Sequence, residues 1–432
     1  MTSRLFTEDF KAEPYWWEAA PPREPEGAWP PDSADVAVVG SGYTGLNAAL
    51  QLARGGRDVV VLEAETPGWG CSTRNGGQVS TSTKPEYDAL ARKHGPEIAR
   101  AVVDNGHEAL AWIGDFVRAE GIDCDFRVCG RFHAAHSAAA FERLRRSVAK
   151  ETPALKAEAE LVPRAEQRRE IGTDAYHGGV VYPRHAALHP GRYHAGLLDR
   201  VLEAGAAVHG RCPVEALERE AEGFVVKTPR GTIRARNVVL ATNGYTGRYA
   251  PWLRRRVIPI GSYVIATEPL EPAVVDRVIP QHRVVSDTRR IVYYYRASPD
   301  RRRILFGGRV SSGETDPLKS GPKLHAEMVR LFPELGGSRI SHSWLGFVAY
   351  TFDTMAHLGE RDGLFYSAGY CGSGVSMASF LGMRLGQKVL GLEEGRTGLD
   401  GVPFPTRPYY FGRPWFLAPA VMAYRLRDRL GV

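Results

Sequence analysis

Residues 35–63 have the pattern of one complete βαβ unit, which strongly limits the folds open to this chain. An apolar run at 36–39 leads into the pattern G-x-G-x-x-G formed by Gly40, Gly42 and Gly45. A helical face, a turn and a second apolar run follow in order: Leu46, Ala49, Leu50 and Ala53, then 54–58, then 59–62 with Glu63 at its end. Gly40 permits a tight turn, Gly42 lets the backbone approach a pyrophosphate, and Gly45 allows close packing of helix on strand. The sequence therefore predicts a Rossmann-like α/β domain.

The ligand predicted for this unit is a dinucleotide. The helix that begins near Tyr43 and Thr44 presents free N–H groups and a positive dipole end to phosphates. Glu63 is placed to accept hydrogen bonds from the adenosine ribose hydroxyls, and with Ala64 it ends the second strand. An acid at this position disfavours the 2′-phosphate of NADP. The motif alone does not separate FAD from NAD.

Length and composition set the wider limits. The chain has 432 residues, 43% hydrophobic and 24% charged, which predicts a soluble protein of two joined domains. It lacks an apolar run long enough to cross a bilayer and a signal-peptide pattern, so we expect a cytoplasmic protein. Five scattered cysteines without a C-x-x-C pair suggest no metal site. The +7 charge is interrupted by acids, which favours a solvated surface over nucleic-acid binding.

The segment after the βαβ unit decides between the two dinucleotides. Residues 68–78 read G-W-G-C-S-T-R-N-G-G-Q. This segment resembles the flavin loop of the D-amino-acid oxidase superfamily, especially the branch of γ-glutamylputrescine oxidoreductase, with cysteine where alanine is commoner. The resemblance implies FAD as cofactor and the following loop residues as its ligands: Gly70, Cys71, Ser72, Arg74, Asn75, Gly76, Gly77 and Gln78.

Further segments carry the same resemblance in the same order. They are 15–17, 187–190, the A-T-N-G-Y segment within 238–246, 344–359 and 364–375. The resemblance adds these cofactor-binding residues: Val214, Ala241, Thr242, Asn243, Gly369, Gly372, Ser373, Gly374 and Val375. A glycine-rich loop and a helix start at 369–375 would direct N–H groups at the pyrimidine edge of the flavin, where negative charge develops. Ser373 stands where relatives commonly have histidine, which puts any role of that histidine in doubt.

The predicted domain organisation is discontinuous. The FAD-binding domain is assembled from 32–86, 165–250 and 340–395, and the substrate domain from 87–164 and 251–339. Runs such as 258–267, 291–296 and 303–309 predict a mainly antiparallel sheet over the flavin. An N-terminal extension (1–31) and a C-terminal tail (396–432) complete the chain. A helix at 415–430 is expected to pack on its own domain or on a neighbouring subunit in a homo-oligomer, with a membrane surface as the alternative.

The resemblance implies oxidation of an amine by hydride transfer to flavin N5, which gives an imine that hydrolyses to an aldehyde. Amino-acid-oxidising relatives often carry Arg-Pro where this chain has Val348-Ala349, so the fork that grips an α-carboxylate is missing there. We therefore expect a small-molecule amine without a nearby α-carboxylate, such as γ-glutamylputrescine or a related polyamine derivative. The candidates for an aromatic cage are Tyr263, Tyr294, Tyr295, Tyr350 and Trp69. Arg309 and Arg296 are candidates for a remote carboxylate.

Several alternatives remain open at this stage. The enzyme could oxidise N-methylated amines or amino acids, or it could be an RNA-directed flavoprotein, or it could bind flavin without turnover. Leu305 occupies the region of a lysine that helps oxygen react in sarcosine-oxidase relatives, so the electron acceptor is oxygen or another compound. Cys71 or Cys371 could tether the flavin covalently, although a packed free thiol is the simpler reading.

Overall fold

The βαβ unit at 35–63 forms the centre of the first of two large sheets in the computed structural model, which describes residues 5–25, 29–81, 85–150, 158–311 and 313–431. The strands are β1 (Phe6–Lys11), β2 (Ser33–Val39), β3 (Val59–Leu62), β4 (Gln78–Val79), β5 (Arg127–Val128), β6 (Arg131–Ala134), β7 (Glu160–Val162), β8 (Gly179–Tyr182), β9 (Ala186–Ala187), β10 (Ala207–His209), β11 (Ala216–Glu220), β12 (Gly223–Thr228), β13 (Gly231–Leu240), β14 (Ile258–Thr267), β15 (Val284–Asp287), β16 (Tyr294–Ala297), β17 (Ile304–Gly308), β18 (Ile340–Tyr350), β19 (His357–Arg361) and β20 (Leu364–Ala368).

The helices follow the same chain order. They are α1 (Tyr43–Arg54), α2 (Tyr87–His94), α3 (Pro96–Ala119), α4 (Ala138–Lys150), α5 (Pro190–Glu203), α6 (Pro251–Arg254), α7 (Pro272–Val278), α8 (Pro317–Leu331), α9 (Gly374–Val389) and α10 (Leu417–Leu430). Within the described ranges, none of these helices combines the length and the apolar character that a bilayer span requires.

The first sheet has a parallel centre, as the βαβ unit predicts. Its described strands run β10-β3-β2-β13, β20 also pairs in parallel with β13, and β19 pairs with β20. The strands β12 and β11 extend from the first half of β13 as an antiparallel meander. The buried faces of α1 and α9 pack in one apolar core beside β2 and β3, because all four elements are apolar on their inner faces. The predicted Rossmann-like domain is confirmed.

The second sheet is mainly antiparallel, which confirms the second half of the predicted fold class. Its described strands run β1-β18-β14-β17-β16-β15-β6-β8-β7. Only β1 with β18 and β15 with β6 pair in parallel among them. The helix α8 covers a separate apolar core on this sheet, which includes Leu324, Met328 and Leu331.

The structure divides some segments differently from the sequence-based domain boundaries. The helix α3, expected in the substrate domain, buries Ala109 and Ile113 in the same core as α9. The strand β18, expected in the FAD domain, pairs with β14 along most of its length. Similarly, β8 pairs with β6 in the second sheet. These differences arise because strand pairing and helix packing join segments that are far apart in the sequence.

Candidate active site

A cavity of about 1220 Å³ is lined by residues of both sheets. Most of the predicted cofactor-binding residues lie on its wall: Gly40, Gly42, Tyr43, Thr44, Glu63, Ala64, Gly70, Cys71, Ser72, Arg74, Asn75, Gly76, Gln78, Val214, Ala241, Thr242, Asn243, Gly372, Ser373, Gly374 and Val375. Gly45, Gly77 and Gly369 do not line it. The cavity thus follows the carboxyl ends of β2, β3, β13 and β20, the edge at which sheets of this kind bind ligands.

The start of α1 forms a cradle with little room for side chains. Gly40 has φ +100°, and a Cβ on Gly45 would lie 1.9 Å from the carbonyl oxygen of Gly40. Gly45 therefore acts through packing rather than through contact with a ligand. A Cβ on Gly42 would lie 3.0 Å from Ser72 Oγ, which accepts a hydrogen bond from the backbone N–H of Tyr43 at 3.0 Å. The N–H of Tyr43 is therefore occupied, and the helix start at Gly42 and Thr44, on the cavity wall, suits a phosphate.

Glu63 lies at the end of β3 and lines the cavity. Its Oε2 accepts hydrogen bonds from the backbone N–H of Ser41 at 2.9 Å and from Ser41 Oγ at 2.7 Å. Its Oε1 accepts one from the backbone N–H of Glu65 at 3.1 Å. The carboxylate is thus oriented by its neighbours beside the α1 cradle, as a ribose-binding acid requires.

Three tryptophan side chains hold the loop at 70–78 from behind. Trp16 Nε1 donates to the carbonyl of Asn75 at 2.8 Å, and Trp344 Nε1 donates to the carbonyl of Arg74 at 2.9 Å. Trp17 Nε1 donates to Thr73 Oγ1 at 2.9 Å. Trp16 and Trp344 are fully buried, so these bonds are shielded from water.

Two arginines complete the support of this loop. The Arg74 guanidinium lies between the rings of Trp17 and Trp69, 4.6 and 4.4 Å from their centroids. Arg296 Nη1 donates to the carbonyls of Gly77 at 3.1 Å and Leu188 at 2.9 Å. Arg296 is 3% exposed and does not line the cavity, so its predicted contact with a substrate carboxylate is wrong. It positions the loop instead.

The start of α9 forms the opposite end of the cradle. Gly369 has φ +82°, its N–H donates to Asn243 Oδ1 at 2.9 Å, and a Cβ there would lie 2.2 Å from Thr351 Cγ2. Gly372 has φ +101° and lines the cavity beside Ser373, after which α9 begins. A Cβ on Gly374 would meet no atom of the described residues within 4 Å. The helix start therefore opens directly onto the cavity.

Cys71 and Cys371 both lie on the cavity wall, and neither forms a disulfide. Burial raises the pKa of Cys71 to about 11, which keeps its thiol protonated at neutral pH. Cys371 Sγ donates to the carbonyl of Gly369 at 3.0 Å, a contact that belongs to the turn before α9.

The predicted aromatic cage is only partly assembled. Trp69, Tyr294 and Tyr350 line the cavity, and the Tyr294 hydroxyl is 2.8 Å from Ser262 Oγ. Burial raises the pKa of Tyr294 and of Tyr350 above their usual range. A Cβ on Gly76 would lie 3.1 Å from Tyr294 Cε2, so this ring lies against the loop at 70–78.

Tyr263 and Tyr295 do not line the cavity, and their predicted place in the cage is wrong. Side chains alternate along a strand, so Tyr295 points away from the face that carries Tyr294. The Tyr295 ring stacks on Phe306 at 5.3 Å in the core of the second sheet. Tyr263 is fully buried, and its hydroxyl donates to Glu314 Oε2 at 2.9 Å.

Arg309 lies on the cavity wall as predicted, but its charge is already balanced. Its Nη1 donates to the carbonyl of Gly261 at 2.7 Å and to Glu314 Oε1 at 3.0 Å.

Several further wall residues escaped the sequence analysis because they lie on segments without a motif. They are Arg131, His133, Asp287, Arg290, Ile291, Arg407, Phe416, Leu417, Ala420, Val421 and Tyr424. For those in the C-terminal tail, the only signal in the sequence was its aromatic and basic composition.

Comparison with known proteins shows the family to which the chain belongs. Residues 35–388 match the model of the family described as "FAD dependent oxidoreductase". The chain belongs to this family of FAD-dependent oxidoreductases. It is 32% identical over 407 residues to γ-glutamylputrescine oxidoreductase of Escherichia coli, covering 93% of this chain and 94% of the relative.

Two further comparisons agree with that assignment. A probable oxidoreductase OrdL of Rhizobium meliloti is 31% identical over 423 residues, covering 96% of this chain and 97% of that protein. The crystal structure of glycine oxidase from Geobacillus kaustophilus superposes with a TM-score of 0.70 and 21% identity, covering 88% of this chain and all of that chain. The last likeness shows that the fold is that of this FAD-dependent oxidoreductase family.

The cavity fits FAD. Two helix starts with glycines beside them, at α1 and α9, open onto one continuous space, and the oriented Glu63 carboxylate lies beside the first. This arrangement offers N–H groups to phosphates and to an electron-rich ring, and an acceptor to ribose hydroxyls. The protein is an FAD-dependent oxidoreductase that acts on the CH–NH group of amines or amino acids.

Proposed function

We propose that this enzyme oxidises the amino group of γ-glutamylputrescine or a related polyamine derivative without an α-carboxylate next to the reacting carbon. The observation that carries the proposal is the aliphatic wall at the end of β18. Val348 pairs with Ile260 of β14, and both line the cavity together with Ile258. A guanidinium that would grip an α-carboxylate is replaced there by apolar side chains. Similarity to γ-glutamylputrescine oxidoreductase over most of the chain supports the same substrate class.

The cofactor-binding roles follow from the cradle. The start of α1 at Gly42 and Thr44 would hold the pyrophosphate, and Glu63 would accept hydrogen bonds from the adenosine ribose. The loop at 70–78 would hold the isoalloxazine ring, and the start of α9 at Gly374 would supply N–H groups to its electron-rich edge. When bound, FAD supplies the two-electron oxidation. The protein supplies position, electrostatics and exclusion of water.

The residues around the reacting carbon favour a neutral amine. Tyr294, Tyr350 and the aliphatic wall surround the space beside the loop at 70–78. Because the pKa of both phenols is raised by burial, they remain neutral and act as hydrogen-bonding and packing groups rather than as bases. Oxidation of R–CH2–NH2 to R–CH=NH removes two electrons and two protons, as a hydride that bound FAD would accept and a proton that is released. Water then converts this imine into the aldehyde and ammonia.

The position of Leu305 supports an electron acceptor other than oxygen. It packs in a buried apolar cluster with Trp16 and Trp344 and does not line the cavity. The lysine that assists oxygen in sarcosine-oxidase relatives therefore has no counterpart at this strand position.

Anaerobic bleaching of the flavin band tests the proposal. The purified holoenzyme is mixed with γ-glutamylputrescine, putrescine, spermidine, sarcosine, glycine and D-alanine in separate cells. We expect bleaching by γ-glutamylputrescine and slow or no bleaching by the α-amino acids. Admission of air then shows whether oxygen restores the band. Bleaching by the α-amino acids alone would contradict the proposal and favour amino-acid oxidation.

A further inference from the structure

The C-terminal helix α10 forms one wall of the cavity. The residues of this segment on the wall are Phe416, Leu417, Ala420, Val421 and Tyr424. From position 417 onward their spacing of three, four and seven is that of one helical face. On this face Val421 is 2% exposed and Leu417 and Ala420 are half-buried, while Tyr424 at its far end is 40% exposed; Met422 and Leu426 on other faces are 58% and 59% exposed. The tail helix, predicted to pack on its own domain or on a neighbouring subunit, thus lines the same cavity as the flavin cradle.

The far end of α10 is attached to the segment that leads into β16. The Asp428 carboxylate accepts hydrogen bonds from the backbone N–H groups of Arg290 at 2.8 Å and Ile291 at 3.0 Å. Ser137 Oγ donates to the carbonyl of Gly431 at 3.1 Å. Bonds from N–H groups to a carboxylate are stronger than those between neutral groups. Because β16 carries Tyr294, the helix and the reaction face are joined through one short segment.

Arg290 supplies a positive charge at this junction. It is exposed, lines the cavity, and its guanidinium carbon lies 5.7 Å from the centroid of the Tyr424 ring. Among the described residues, no carboxylate lies within ion-pair distance of its guanidinium. Two nearby acids are ion-paired, Asp287 with Arg289 and Glu314 with Arg309, and a third, Asp428, accepts the backbone N–H groups of Arg290 and Ile291.

We propose that Arg290 and Tyr424 form a subsite for a carboxylate at the end of the amine that is remote from the reacting carbon. This inference rests on the proposed function and names the feature by which the enzyme would select its substrate. The apolar face of α10 packs against the alkyl chain, and Arg290 binds the carboxylate beyond it. Free polyamines carry only ammonium groups at that end and offer Arg290 no carboxylate to pair with.

A matched pair of non-oxidisable ligands tests the subsite independently of turnover. N-butylglutaramic acid carries one carboxylate at the far end of an alkyl amide, and N-butylpentanamide is its uncharged twin. Binding is followed by the change in the flavin absorption spectrum of the holoenzyme. We expect the acid to bind more tightly than the twin, and Arg290→Gln to weaken the acid about tenfold without affecting the twin. Arg290→Lys should restore part of the affinity.

The control is Arg427→Gln, which removes an equal charge from an exposed part of α10 off the cavity wall. It should leave the affinity for both ligands unchanged. Equal weakening by the two glutamine variants, or no preference of the wild-type enzyme for the acid, would overturn the subsite.

Kinetics separates this inference from the proposed function. With γ-glutamylputrescine, Arg290→Gln should raise KM about tenfold and change kcat less than twofold, because the contact is remote from the reacting carbon. With N-acetylputrescine, KM should not change. If the wild-type enzyme does not oxidise γ-glutamylputrescine, the proposed substrate is wrong, and the ligand titrations still decide the subsite. If it does oxidise it and Arg290→Gln binds the acid normally, only the subsite is wrong.

Discussion

Trp16 Nε1 lies 2.8 Å from the carbonyl oxygen of Asn75 and donates a hydrogen bond to it. This bond joins the N-terminal segment to the flavin loop, where Asn75 and Gly76 line the cavity. The same segment pairs with the second sheet through β1 and β18. The N-terminal extension therefore connects the substrate sheet with the FAD-binding loop and belongs to the cofactor site.

Trp16→Phe is expected to weaken FAD binding. The phenyl ring keeps most of the apolar packing but leaves the Asn75 carbonyl without its buried donor, which costs roughly 1–3 kcal/mol. We expect the FAD dissociation constant, measured by quenching of flavin fluorescence during titration of the apoprotein, to rise about tenfold. Trp112→Phe is the control, since that ring packs on Phe116 and Phe380. Equal effects of the two substitutions on FAD affinity would show that Trp16 contributes only to general stability.

The sequence predicted the parts of the site that depend on local pattern. The strand β3 has the predicted bounds, and Gly40, Gly42 and Gly45 form the predicted turn into α1. Both predictions succeed because turn chemistry and apolar spacing act over a few residues. The orientation of Tyr294 and Tyr295 depends on strand register, which a run of three tyrosines does not reveal. The pairs Trp16–Asn75 and Arg290–Tyr424 depend on contacts between distant segments. No sequence pattern signals either pairing, although Trp16 and Asn75 each lie in a segment that resembles the family.

Gly374→Ala should separate folding from cofactor binding. Gly374 is the first residue of α9, and an added Cβ would enter open space on the cavity wall. Alanine is the better helix former, so we expect the thermal midpoint of the apoprotein to stay the same or rise. The methyl group would occupy the space assigned to the flavin edge, and FAD affinity should fall at least tenfold. Gly337→Ala, another position where a Cβ meets open space, is the control. Unchanged FAD affinity in Gly374→Ala would place the flavin elsewhere.

Buried histidines are expected to make the protein less stable in acid. His194 Nε2 donates to the carbonyl of Ser41 at 2.8 Å, and burial lowers the pKa of His194 to about 4. Between pH 6.5 and 4 the unfolded chain binds a proton at this side chain that the folded protein does not bind. Stability is therefore fully present above pH 6.5 and is lost as the pH falls towards 4. Burial also lowers the pKa of four other histidines: His136, His185, His189 and His342.

The substitution His194→Gln measures how much of the acid-induced loss of stability comes from this one side chain. Glutamine keeps an amide N–H near the position of Nε2 but does not titrate. We expect the loss of unfolding free energy between pH 7 and pH 5, measured by urea denaturation, to be about 2 kcal/mol smaller than in the wild type. An identical loss in both proteins would mean that His194 is not the titrating group.

The rate of amine oxidation should rise with pH up to the pKa of the substrate itself. The phenols of Tyr294 and Tyr350 line the reaction face, and burial holds their pKa above the usual range, so neither supplies a base at neutral pH. A primary alkylamine has a pKa of about 10, so the neutral form that donates hydride is scarce at pH 7. We expect kcat/KM, measured anaerobically from flavin bleaching, to increase about tenfold per pH unit below that value. A fluorinated analogue with a less basic amine should shift the whole rising limb to lower pH by the difference between the two amine pKa values. A limb that stays at the same pH for both amines would instead assign the titration to a group of the enzyme.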